Sequence, residues 1–132
     1  MILIAPSLDD IARLAETALH EIPDELRQYT RDLVLKIEDL PDDEIVEEME
    51  LESPFDLLGL YQGVAMPFQS VGLVRAEPDR VFLYRRPILD YWCETGEALD
   101  DIVRHVLIHE IGHHFGFSDE DMDRIEGDGD SD

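Results

Sequence analysis

The stretch GEALDDIVRHVLIHEIGHH, residues 96–114, is the strongest helical pattern in the chain and constrains its fold more than any other segment. Ile102, Val106, His109 and His113 recur at spacings of four and three, so one face of the predicted helix passes from apolar side chains to imidazoles. Gly116 is placed to terminate it, because a glycine just past a helix end takes up the left-handed turn without penalty.

The rest of the chain supplies partners for that helix. Ser7 with Asp10 reads as a helix start, Asp10 standing in for the longer Glu of a capping box. Ile11, Leu14, Ala15, Ala18, Leu19 and Ile22 follow at helical spacing, and Pro23 ends the pattern. PDELRQY adds a further turn or two. In DLVLKIED, Leu33, Leu35 and Ile37 alternate with Asp32, Lys36 and Glu38, the period of a half-buried strand. The segment from Glu38 to Asp56 holds ten acids and no base. A short helix fits around Glu44 to Met49, but like-charge repulsion favours a mobile, solvated connection. DLLGLYQGVAMP, with two glycines and a closing proline, reads as an irregular loop or bulged strand over the core. DRVFLYRR, bounded by Pro78 and Pro87, reads as a strand, and PILDYW as one helical turn. SDEDMDRIE looks like a new helix capped by Ser118, with Asp121 three residues on. No internal repeat is visible.

At 132 residues the chain fits a single domain, residues 1–126, followed by an acidic tail, 127–132, expected to be disordered. Thirty-three Asp and Glu against ten Lys and Arg give a formal net charge of −23. Such a surface repels phosphate backbones and anionic membranes, so neither nucleic acid nor a membrane is an expected partner. Cys93 is the only cysteine, which excludes an intrachain disulfide. The opening MILIAPSLDD lacks the basic region and the apolar length of a signal peptide, and a cytoplasmic location is the expectation. Oligomeric state leaves no trace in the pattern.

The chemistry concentrates in HEIGHHFGFSD, residues 109–119. Residues four apart on a helix lie about 40° apart around its axis, so His109 and His113 can grip one ion. Glu110 lies about 100° further round, off the ion but near its water. Two ligands and one base on consecutive turns are what the H-E-x-x-H pattern provides for zinc hydrolysis. A turn at Gly116 lets the next segment fold back and present Asp119 as a third, oxygen ligand, with Glu120 as its neighbouring competitor. By composition alone H-E-x-x-H arises in roughly 2% of such chains, and adding Gly116 and an acid at 119 lowers this to roughly three in ten thousand.

Other residues fit blander roles. His105 and His109 also sit four apart, but no base and turn follow that pair, so His105 reads as a core residue or one supporting a ligand. His114 points off the ligand face and reads as structural. Met122 falls too soon after Asp119 for a methionine turn and reads as core, as does Cys93. Tyr61, Arg85 and Arg86 are candidates for stabilising an oxyanion, although a core tyrosine and surface ion-pair arginines fit them as well.

With LLGLYQG, VFLYRRPI and HEIGHHFG, the chain resembles the small bacterial zincin-like metallopeptidases that carry H-E-x-x-H-x-x-G-x-x-D, over roughly Leu8 to Glu126. The resemblance implies an α+β zincin-like fold: a small mixed sheet packed on the active-site helix, with a strand bordering the cleft. It implies His109, His113 and Asp119 as Zn²⁺ ligands and Glu110 as general base. The expected function is zinc-dependent hydrolysis of a peptide or protein substrate, favoured if basic by the acidic surface. The competing reading is a non-catalytic, metal-stabilised acidic module that binds a basic partner through Glu38 to Asp56.

Overall fold

The computed structural model describes residues 4–28, 30, 32–63, 79–118 and 120–124. Helix α1 spans Leu8–His20 and opens on the expected capping box: Ser7 Oγ accepts from the Asp10 N–H at 3.1 Å, and Asp10 Oδ2 accepts from the Ser7 N–H at 2.8 Å. Its apolar stripe buries Ile11, Ala15 and Ala18. A single turn, α2, follows at Asp24–Arg27, and strand β1 at Val34–Glu38.

The acidic connection differs from expectation. Asp43–Glu48 forms a helix, α3, and Pro54–Asp56 a 3₁₀ turn. Asp42 Oδ1 accepts from the Ile45 N–H at 2.9 Å, Asp43 and Glu44 sit in the first turn, and Ile45 is buried. Repulsion between exposed like charges costs about 0.2–0.5 kcal/mol per pair, whereas burying an isoleucine contributes about 1.5–3 kcal/mol. Acids at a helix start also suit the positive end of its dipole. One anchored isoleucine therefore outweighs the repulsion.

Strand β2, Gly59–Gln62, and strand β3, Arg80–Tyr84, complete a mixed sheet of order β1-β3-β2. β1 runs parallel to β3, and β2 antiparallel to it with Tyr61 opposite Val81. DLLGLYQG, expected as an irregular loop or bulged strand, is thus partly a regular edge strand; its continuation lies outside the described residues. Helix α4, Arg85–Thr95, begins where β3 ends, so VFLYRR is strand only to Tyr84 and PILDYW belongs to a helix of eleven residues. Pro87 is its third residue, where a missing N–H removes no intrahelical bond. Gly96, at φ 71°, closes α4, and the long helix α5 therefore starts later, at Leu99, and ends at His114.

α1 and α5 pack on each other and against one face of the sheet. Ile11, Val81, Leu83, Ile102, Leu107 and Ile111 form the centre of this core. Cys93, expected inside it, is exposed. α4 buries the Pro87 and Ile88 side, with Trp92 half-buried four residues after Ile88; Cys93 is rotated about 100° away. The result is an α+β fold with a small mixed sheet against the H-E-x-x-H helix, as expected. No helix among the described residues is long and apolar enough to cross a membrane.

The exit from α5 follows the glycine pattern. Phe117 N–H donates to Gly112 O at 2.9 Å and Gly116 N–H to His113 O at 3.1 Å, with Gly116 at φ 91°. Ser118 and Asp121 then exchange capping hydrogen bonds, both 3.1 Å, at the start of the helical turn 120–124. Met122 is fully buried, and its sulfur occupies the space a Cβ on Gly112 would take. Gly112→Ala is accordingly expected to destabilise. Overpacking costs about 1–3 kcal/mol, and alanine's better helix propensity offsets only about 0.5–1 of it. A urea-unfolding midpoint below that of the wild type checks this. The tail at 127–132 lies outside the described residues.

Candidate active site

α5 presents the three motif residues at its last two turns, where the apolar stripe gives way to polar side chains. His109 and Glu110 are partly buried, and His113 is exposed. The His109 and His113 rings are 5.4 Å apart and nearly perpendicular, at 88°. Two imidazoles sharing a tetrahedral zinc at 2.0–2.1 Å per nitrogen have ring centres about 5 Å apart. Spacing and donor type therefore fit a shared ion. The rings of His105 and His109 lie 3.9 Å apart and tilted by only 35°. Lone pairs lie in the ring plane, so near-stacked rings do not converge on one metal. His105 is exposed, which rules out the core role, but it does touch a ligand candidate.

The third expected ligand, Asp119, lies outside the described residues. Among those described, no cluster of three or more His, Cys, Asp or Glu side chains is arranged to hold a metal.

Glu110 is gripped by the sheet. Tyr84 N–H donates to Leu58 O at 2.9 Å, making that a hydrogen-bonded pair. With the antiparallel alternation, the Tyr61 N–H then points away from β3. It reaches Glu110 Oε1 at 3.2 Å, joining residues 49 apart in sequence. The Tyr61 hydroxyl donates to Asp79 Oδ2 at 2.6 Å, and its ring stacks on His114 at 3.8 Å and 19°. Tyr61 and His114 are thus structural in their side chains, while the Tyr61 backbone serves the site. Sequence reasoning missed this link, and Asp79 with it, because nothing local signals a contact across that separation. Arg85 donates from Nε to Pro6 O at 2.6 Å and from an Nη to Asp39 Oδ1 at 3.1 Å. It is an ion-pair residue tying the chain start to the end of β1. Arg86 is exposed. Tyr84, fully buried with no hydroxyl partner among the described residues, has its phenol pushed up to about 12 by burial and by the charges of Glu38, Asp42 and Glu110.

Burial raises the Glu110 carboxyl above its ordinary 4.5, against the opposing pull of the Tyr61 N–H and of His113. A raised carboxyl pKa means the fold favours the protonated form. Its penalty on the ionised form is absent below the unfolded value and complete above the raised one. Metal-free Glu110→Gln keeps an oxygen for the Tyr61 N–H and carries no charge. It is expected to melt higher than metal-free wild type near pH 7, with the difference gone by about pH 4. Paired melts after chelation check this, and a variant that melts lower at neutral pH contradicts it.

A family described as zincin-like metallopeptidase matches residues 30–128, which is 99 of the 132. The match takes in the three described strands and α3 to α5; of the described helices, α1 and α2 lie outside it. No curated protein matches the chain.

Proposed function

This chain belongs to the zincin-like metallopeptidase family, and from that membership we propose that it hydrolyses peptide bonds with one zinc held by His109, His113 and Asp119. The observation that carries the reading is the Glu110 carboxylate, partly desolvated beside two imidazoles 5.4 Å apart and fixed by a backbone N–H of the neighbouring strand.

Zinc in such a site supplies a Lewis acid that polarises the scissile carbonyl and lowers the pKa of water. The protein's own part is proton handling. Tyr61 holds Oε1 of Glu110, which leaves Oε2 to take a proton from the attacking water as its oxygen bonds to the carbonyl carbon. The same carboxyl then protonates the departing amine as the C–N bond breaks. Burial serves this role, since a carboxyl with a raised pKa both accepts and releases a proton more evenly near neutral pH.

An acidic interaction module acting through Glu38 to Asp56 accounts less well for these features. Such a module gains nothing from a half-buried carboxylate beside two histidines. Incubation of the zinc-loaded protein with a mixed peptide library, with products read by mass spectrometry, tests the reading. Absence of any cleavage, or equal cleavage by Glu110→Gln, counts against it.

A further inference from the structure

Resting on the peptidase reading, we propose that a groove along the first half of α5 receives a lysine or arginine side chain of the substrate, with Glu97 and Asp101 reading its charge. The groove has a volume of about 780 Å³. Its floor is apolar: Ile102 and Val106 are buried, and Leu58 is half-buried. Glu97 and Asp101 are exposed along its sides, with Tyr91 beside Glu97. An apolar floor beneath carboxylates suits a side chain with a methylene stem and a cationic head.

Position ties the groove to the chemistry. His105 lines it, and the His105 ring lies against that of His109. One helical turn, about 6 Å, separates these residues along the axis. Asp101 lies a further turn back, about 12 Å from His109 along the axis. An extended peptide advances about 3.3 Å per residue, so the side chain in the groove belongs to a residue within about four positions of the scissile bond. Arg104 also lines the groove. Two carboxylates against one guanidinium still leave it net negative, in a chain of charge −23. An acidic side chain here would lose hydration against like charge, so the groove selects against it as well as for its opposite.

The test uses the full chain, zinc-loaded, as Glu110→Gln so that nothing is consumed. Acetylated alanine-based hexapeptides carrying Lys, Leu or Glu at each position in turn are titrated by calorimetry, with the amide resonances of Ile102, His105 and Val106 followed by NMR. At one position Lys is expected to bind about tenfold tighter than Leu, and Glu weaker than either. Adding Glu97→Gln and Asp101→Asn should abolish the Lys advantage and leave the Leu peptide within about twofold. A Lys advantage that survives both substitutions belongs to the overall field and overturns the assignment. Shifts that miss these three residues, or no binding by any peptide, overturn it too. Cleavage by the wild type with no side-chain preference sinks the groove and spares the peptidase reading. Lys-selective binding without any cleavage does the reverse.

Discussion

Glu110→Gln is expected to keep zinc bound while cutting hydrolysis by about 10² or more. The carboxylate sits one residue off His109 and is held by the Tyr61 N–H, and in the proposed mechanism its charge serves a proton rather than the ion. Glutamine matches its shape and still accepts that N–H, but it cannot carry a proton. Zinc stoichiometry measured beside peptide turnover checks both halves. Loss of zinc from the variant would make Glu110 a ligand and overturn its role as base.

His109→Ala with His113→Ala is expected to have the opposite signature. Zinc content should fall from about one ion per chain to none, and turnover with it. Binding to the folded state alone stabilises by about 4 kcal/mol at a thousandfold excess over Kd, so zinc should raise the melting temperature of the wild type markedly and of the double variant not at all. Metal analysis after chelation and replenishment, with melts in both states, reads this directly. Unchanged stoichiometry in the double variant would remove the site. In the same titration Asp119→Asn should weaken binding if the proposed ligand set is right, since it takes a charge from that set.

What the sequence made legible was local. Ser7 with Asp10 and Ser118 with Asp121 announced helix starts, because capping needs only residues three apart. Gly116 announced the end of α5 for the same reason. The alternation in β1 and the apolar, aromatic run of β3 announced strands, and the H-E-x-x-H spacing placed His109 and His113 on one face. Errors arose where a tertiary contact outweighed a local rule. Like charges argued against α3, and buried Ile45 overrode them. Pro87 looked like a boundary but lies in the first turn of α4. Cys93 was placed inside by residue type, whereas the packed side of α4 carries Ile88 instead. The hydrogen bond from Tyr61 to Glu110 was invisible for a stronger reason. It depends on the register of β2 against β3 and on how α5 lies across both.

That bond has a consequence for which substitutions the protein tolerates. One oxygen of the proposed base is positioned by a strand and its Cα by a helix, and the two elements meet through Val106 against Gly59, with Leu83 beside it. Val81 and Leu83 continue the same layer. A substitution in this layer that slides α5 along β2 by an ångström leaves most of the buried area intact, yet shifts the Glu110 carboxylate by the whole ångström against the Tyr61 N–H that fixes Oε1. Misplacement on that scale costs about 10² in rate. The interior beneath the site therefore acts as its alignment frame, and conservative replacements at Val81, Leu83 or Val106 should yield proteins that fold, bind metal and have lost their chemistry.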